Sequence, residues 1–126
     1  MEVSHGHIEF DGKYLLTLDN HHLQPRPAEP YLHSHNHLEL SYIKAGRGEY
    51  VVDDKIYDIQ PGDIFIFNNI ETHAIGVYPP DKLINMVIHF DPRLIWNIGS
   101  NLFDARYLNI FYNRNENFEN RLDRKN

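Results

Sequence analysis

The sequence has 126 residues, enough for one domain with a single core but too few for two. Its formal net charge of -6 excludes a fragment that binds nucleic-acid phosphates by itself, because such binding needs a basic surface. The absence of cysteine excludes disulfides and thiolate metal sites and is typical of a cytoplasmic protein.

Residues 1–30 form a lead-in to the domain. Two short strand-like segments, Ile8 to Phe10 and Tyr14 to Leu18, precede a loop that is punctuated by Pro25, Pro27 and Pro30. Nothing in this region has the basic stretch and apolar run of a signal peptide, and the apolar runs elsewhere are too short to span a bilayer. We therefore expect a cytoplasmic protein with no membrane partner.

Residues 31–90 carry the pattern of a barrel core. Turn-forming residues such as Gly46 and Pro61-Gly62 separate short segments rich in β-branched and aromatic residues. Ile64 to Phe67 is apolar on both faces, which indicates packing on both sides. The pattern predicts an all-β, two-sheet jelly roll. Its predicted strands are His37–Ala45, Gly48–Val52, Lys55–Ile59, Asp63–Phe67, His73–Tyr78 and Leu83–Phe90.

One or two short helices are predicted after the barrel. Asp91 followed by Pro92 is typical of a helix start, and this helix would end near Trp96. A second, amphipathic helix is predicted over 101–112. We expect the whole segment 91–112 to pack on the barrel or on a second copy of the chain in a homodimer.

The residues that can carry chemistry concentrate between His33 and Glu39 and at His73. Alternate side chains of an extended strand share a face, so His33, His35 and Glu39 would point the same way, and a facing strand would deliver His73. Three imidazoles and one carboxylate suit Zn, Ni, Fe or Mn and leave coordination positions open. The sequence therefore predicts a divalent metal site at these four residues.

Alternatives to this site stay open. His37 has the same strand parity as His35 and Glu39, so these three form a rival triad unless a bulge turns His37 outward. The predicted quartet can also serve without metal, as a polar floor that is hydrogen-bonded to an organic ligand. The remaining histidines are interpreted as ordinary surface residues, namely His5, His7, His21 and His22.

Further side chains are candidates for binding a small molecule. Aromatic faces pack well on the apolar faces of sugars, although ordinary core packing is the alternative for most of them. The candidate ligand-binding residues are Tyr50, Phe65, Phe67, Trp96, His37 and His89.

The spacing of the candidate metal ligands resembles the two sequence motifs of the cupins. His33, His35, Glu39 and Gly46 follow the first motif, which favours His33 over His37 in the ligand set. His73 follows Gly62 by eleven positions, as in the second motif.

Longer stretches within residues 30–95 are similar to AraC-type sensor domains of bacterial transcription regulators, namely His33 to Tyr50, Asp58 to Phe67 and Val87 to Pro92. The resemblance implies a cupin double-stranded β-helix that senses a small molecule, often a sugar. It also implies dimerisation through the following helices and DNA binding through a C-terminal helix-turn-helix domain that this chain lacks. Residues 113–126 would then be a polar tail or linker toward that domain.

Two classes of function follow. We expect a sensing and dimerisation module that is not an enzyme, because no further acid or base announces itself beside the open coordination positions. The alternative is a stand-alone cupin metalloenzyme, a dioxygenase, isomerase or lyase, that uses the predicted quartet to hold its ion.

Overall fold

The fold consists of two β-sheets in a computed structural model whose described residues are 3–6, 16–28, 32–35, 37–68, 70–93, 111 and 118–124. Residues 3–6 and 32–35 are described by their backbone pairing. Nine strands are named in chain order: β1 Val3–Gly6, β2 Leu16–Leu23, β3 Leu32–His35, β4 Leu38–Ala45, β5 Gly48–Val52, β6 Lys55–Ile59, β7 Ile64–Phe67, β8 His73–Val77 and β9 Leu83–Phe90.

The strands are divided between a five-stranded and a four-stranded sheet. The first has the order β1-β3-β8-β5-β6 and the second the order β2-β9-β4-β7. All neighbours pair antiparallel except β1 and β3. Except for β5 and β6, which form a hairpin within the first sheet, consecutive strands lie in opposite sheets, as in a jelly roll, and the two sheets confirm the predicted all-β class.

The space between the sheets is filled mostly by apolar side chains. Strand β4 shows why, because its inward positions are buried while Tyr42 and Lys44, on the opposite face, are exposed. The largest apolar cluster draws on both sheets and contains Ile43, Tyr50, Val52, Tyr57, Ile59, Phe65, Phe67, Val77 and Leu83. This cluster closes one end of the interior.

The β4–β5 turn is held close to β9 by a glycine. Gly46 has a φ of +95°, which a residue with a side chain rarely adopts. A Cβ at this position would also lie 2.5 Å from the backbone oxygen of Lys82. The turn therefore requires glycine for both conformation and space.

The outer face of the four-stranded sheet carries a second, smaller apolar cluster. Phe111 packs edge-on against Phe90, with ring centroids 5.2 Å apart, beside Leu38 and Ile66. The predicted helices after the barrel lie largely outside the described residues. Among the described segments, no helix has the length and apolar character that a bilayer crossing requires.

The described part of the C-terminal segment, residues 118–124, lies along β7. The backbone N–H of Ile66 donates to the Asn120 carbonyl over 2.9 Å, and that of Leu122 to the Ile64 carbonyl over 2.9 Å. The Asn120 side chain is buried and donates to both the Ile66 carbonyl and Glu71. The sequence predicts a polar tail or linker here, whereas in the structure the backbone of this segment, together with the Asn120 side chain, pairs with the edge of β7.

Candidate functional site

Glu39 lies at the centre of the polar part of the interior. It is on the inward face of β4, directly opposite His89 on β9 and Phe67 on β7. Only 5 % of its surface is exposed. One carboxylate oxygen, Oε1, lies 2.9 Å from His89 Nε2. Antiparallel register therefore places an acid and an imidazole side by side from strands 50 residues apart in sequence.

His73 approaches the same carboxylate from the facing sheet. Its Nε2 lies 3.5 Å from Glu39 Oε2, the second carboxylate oxygen. The His73 ring stacks on Phe67, with centroids 4.0 Å apart and an interplanar angle of 7°. This stacking fixes the plane of the imidazole and so directs its nitrogen toward Glu39.

His37 completes the cluster from the segment just before β4. Its side chain is buried, and its ring meets the His89 ring edge-on at a centroid distance of 4.3 Å. One potential ligand atom from each of His37, Glu39 and His89 lies within 4.8 Å of the others. Three residues therefore converge close enough to bind a metal ion.

The histidines decide the charge state of Glu39. Burial acts to raise the pKa of this carboxyl, but the charge of His73 and the hydrogen bonds from His73 and His89 outweigh it. They hold the pKa well below its ordinary value, so the carboxylate is ionised at neutral pH.

A hydrogen-bonded network borders the Glu39 cluster. Ser41 Oγ donates to Asn85 Oδ1 over 2.6 Å, so the Tyr50 hydroxyl donates to Ser41 Oγ over 2.7 Å. Asn85 Nδ2 donates to the same hydroxyl over 3.0 Å. Burial, and then the charge of Glu39, raise the pKa of Tyr50, which keeps its hydroxyl protonated. The network presents neutral, fixed polar groups beside the ionised carboxylate.

A cavity of about 280 Å³ opens from this region toward solvent. Four apolar residues line it, namely Leu23, Ala74, Ile75 and Val87. Its polar lining consists of His21, Arg26, Glu39, Tyr50, His73, Asn85 and His89. A small polar molecule that entered would contact Glu39, His73 and His89 together.

The donor set fits a divalent transition metal. Imidazole nitrogen and carboxylate oxygen bind such ions at about 2.0–2.2 Å, so ligand atoms around one ion lie roughly 3–4 Å apart. The separations between ligand atoms in the cluster are close to this range, and small side-chain rotations would bring them within it. His37, Glu39 and His89 are the residues that would hold the ion.

His33 and His35, the two sequence-predicted ligands on β3, belong to a different sheet from Glu39. β3 ends at His35 in the five-stranded sheet, whereas β4 begins at Leu38 in the four-stranded sheet. Strand parity therefore does not run unbroken from His33 to Glu39, as a single strand would require. The Cα of His33 pairs with that of His73 across β3 and β8. The side chains of His33 and His35 lie outside the described residues, so their ligand role stays a prediction.

The predicted ligand-binding aromatics separate into three groups. Tyr50 lines the cavity. Phe65 and Phe67 are fully buried, and Tyr50 packs edge-on against both, at centroid distances of 4.7 and 5.0 Å. They support the cavity wall from behind, and their part in ligand binding stays a prediction. Trp96 lies outside the described residues.

Several residues at the cavity were missed by sequence reasoning. His21, interpreted from the sequence as an ordinary surface residue, lies on β2 opposite Asn85 and lines the cavity. Arg26 lies in the proline loop and also lines the cavity. Ser41 has an available signal, because it shares the inward parity of Glu39 on β4. No local pattern identifies Arg26, whose position depends on contacts with β8.

Comparison with known families gives one match over most of the chain. The model of the AraC-like ligand binding domain matches residues 21–124. This range contains every described residue of the cavity and its polar network.

Similarity to individual proteins points to cupins, among them enzymes. An L-ectoine synthase of Vibrio cholerae is 33% identical over 78 residues, which are 61% of this chain and 53% of the relative. The chain thus spans about half the length of the curated relatives it matches. A cupin protein from Bacteroides fragilis has a TM-score of 0.57 at 20% identity and covers 63% of this chain and 68% of that one.

A second similar structure is described as a predicted oxalate decarboxylase from Thermotoga maritima. It has a TM-score of 0.53 at 24% identity and covers 58% of this chain and 64% of that chain. These structural similarities establish the cupin fold. The sequence similarity to synthases contradicts the expectation that the chain is not an enzyme, which is therefore wrong.

Proposed function

Because this chain belongs to the AraC-like ligand binding domain family, we propose that it is a cupin metalloenzyme that binds a small polar molecule and acts on it. In this proposal His37, Glu39 and His89 hold a divalent metal at the inner end of the cavity. The reaction belongs to the lyase or isomerase class, or to the dioxygenases if oxygen is consumed.

The observation that carries the proposal is the convergence of imidazoles on one buried, ionised carboxylate that also lines a cavity. A buried charge is costly unless it is paired, and a divalent ion satisfies this cluster more completely than water does. When bound, such an ion polarises a carbonyl or hydroxyl and stabilises the negative charge that develops during reaction.

His73 supplies the acid or base that the sequence does not announce. It lines the cavity. Its Nε2 lies near Oε2 of Glu39, whereas His89 lies near Oε1, the other carboxylate oxygen. A ring nitrogen of His73 would take or give a proton at a bound molecule, as a general acid or base does. Tyr50 and Asn85 are held by Ser41 and orient that molecule through their fixed polar groups.

Similarity to curated relatives named L-ectoine synthase supports an enzyme of this kind. The chain covers 53% of that relative's length. The polar lining favours a small substrate that has several hydroxyl, carbonyl or carboxylate groups.

The test is turnover of molecules that demonstrably bind the cavity. Ligand-observed NMR on metal-loaded protein would select binders from a set of sugars, hydroxy acids and amino acids, and each binder would then be incubated and followed by NMR, with oxygen uptake recorded. We expect product formation that falls at least about 100-fold in Glu39→Gln, which weakens the metal site. His22→Ala, an exposed histidine outside the cavity lining, is the control. Binders that remain unchanged with metal-loaded wild type would overturn the enzyme proposal.

The family match favours a second candidate, effector sensing within a transcription regulator. The effector, for example a sugar, would bind in the same cavity and shift the protein between two states. A second copy of the chain and a separate helix-turn-helix domain would then supply dimerisation and DNA binding. A ligand-dependent shift between those two states is the result that this candidate predicts.

A further inference from the structure

We infer that the molecule in this cavity carries a carboxylate or phosphate group, and that Arg26 at the cavity mouth binds it. The inference deepens the proposed function, on which it rests, because it names the ligand class of the same cavity.

Arg26 is anchored at the cavity by its backbone. Its N–H donates to the Val77 carbonyl over 3.0 Å, and the Val77 N–H donates back to the Arg26 carbonyl over 2.7 Å. The loop crosses β8 so closely that a Cβ on Gly76 would lie 2.7 Å from the backbone nitrogen of Ala28. The base of the Arg26 side chain therefore has a fixed position, although the residue itself is exposed.

The Arg26 guanidinium has no carboxylate partner within the described part of the chain. By contrast, Arg93, Arg121 and Arg124 each pair with an aspartate. Arg47 also lacks such a partner among the described residues, but it does not line the cavity. Arg26 thus combines an available guanidinium with a place on the cavity wall, and guanidinium binds carboxylate and phosphate through paired N–H groups.

The charges around the cavity favour an anion once metal is bound. Among the described residues, Glu39 is the one acidic residue that lines the cavity, and a divalent ion more than neutralises it. Asp19 lies on the inward face of β2, opposite Val87, but is not part of the lining. Arg26 and the ion then leave the cavity net positive within a chain of net charge -6.

The size of the cavity sets the size of the ligand. Its volume of about 280 Å³ is at the lower end of pockets for small molecules, which hold about 300–1,000 Å³. A molecule of a few carbon atoms fits, with its anionic group at Arg26 and its other polar groups toward Glu39, His73 and His89.

Calorimetric titration of zinc-loaded protein tests the inference with three probes: succinate, its uncharged diamide succinamide, and inorganic phosphate. We expect wild type to bind succinate or phosphate more tightly than succinamide. Arg26→Gln should lower the affinity for whichever anion binds by about 10- to 100-fold, the usual effect of losing a charge-assisted pair. The affinity for succinamide should stay unchanged. Arg26→Lys should restore part of the affinity, because it keeps the charge without the paired donors.

Arg47→Gln is the matched control, since it removes the same unpaired charge outside the lining and should change affinity less than about twofold. If Arg26→Gln loses affinity for succinate alone, the ligand of this cavity carries a carboxylate. If it loses affinity for phosphate alone, the ligand carries a phosphate. No anion binding by wild type, or equal affinities in wild type and Arg26→Gln, would overturn the inference. The metal content of the same samples distinguishes failure of the proposed metal site from failure of the anion site. If wild type holds no metal after loading, the proposed metal site is wrong. If Arg26→Gln still lowers the anion affinity in that case, the anion site is supported on its own.

Discussion

The two ends of the barrel interior differ although the same strand contributes to both. Toward one end of β4, Ile43 belongs to a mostly apolar cluster with Phe65 and Leu83. Toward the other end, Ser41 and Glu39 occupy the next inward positions and are just as buried. Burial at the first end removes apolar surface from water, whereas burial at the second end confines a charge and several hydrogen-bonding groups.

This difference separates stability from function along one strand. The apolar end needs nothing beyond close packing. The polar end is satisfied through contacts between side chains of β4, β5, β8 and β9 and the segment before β4, together with whatever enters the cavity. We therefore expect substitutions at the two ends to have effects of different kinds.

The largest expected effect is at the apolar end. Phe65→Ala would leave a void beneath Tyr50 and Phe67 and should lower the free energy of unfolding by about 3–5 kcal/mol. Urea denaturation of metal-free protein measures this, with Ile56→Ala as the control because that side chain is 69% exposed. A loss below about 1 kcal/mol would contradict the assignment of this end as the stabilising core.

An intermediate effect is expected at the network between the two ends. Ser41→Ala removes a partner from both Tyr50 and Asn85 in a buried setting, and should cost about 1–3 kcal/mol of unfolding free energy. Loss of affinity for any cavity ligand should accompany it, because the two partners lose their fixed orientation. Unchanged unfolding free energy in the same urea titration would mean that water replaces the hydroxyl without penalty.

The smallest expected effect is the acid dependence of the metal-free protein. The pKa of Glu39 is lower in the folded chain than its ordinary value near 4.5, so its ionised form stabilises the fold above that value, and this stability is lost as pH falls below it. Between about pH 5 and pH 3, wild type should lose about 1–2 kcal/mol more stability than Glu39→Gln. Asp54→Asn, in an exposed turn, serves as the control. Parallel curves for wild type and Glu39→Gln would show that the histidines do not stabilise the charge.

Local patterns were sufficient for much of the fold. The bounds of β5, β6 and β9 were predicted as observed, because turn residues and period-two alternation define each of them within its own segment. β1 and β3 were missed, since each has four residues and is defined by pairing with a distant strand.

The candidate site was less accessible from sequence for a physical reason. Glu39 stands out in the sequence because it is a carboxylate close to several histidines. Its inward orientation follows from the alternation of side chains within β4 alone. The contact of His89 with Glu39 depends on the register of β4 on β9, which the spacing of residues does not determine. Arg26 depends in the same way on the bridge to Val77.

Elemental analysis tests the central claim, a metal site on Glu39, most directly. Protein purified without a polyhistidine tag would be incubated with excess Zn or Ni and dialysed near pH 7.5. We expect about one ion per chain in wild type and in the control His22→Ala. His37→Ala/His89→Ala should retain little metal, and wild type should release its ion as pH falls below about 6, since ligation requires neutral imidazole. Comparison with His33→Ala/His35→Ala decides whether the cupin-motif histidines also belong to the set. Equal metal content in wild type and the His37/His89 double variant, or no metal in wild type after loading, would contradict the account.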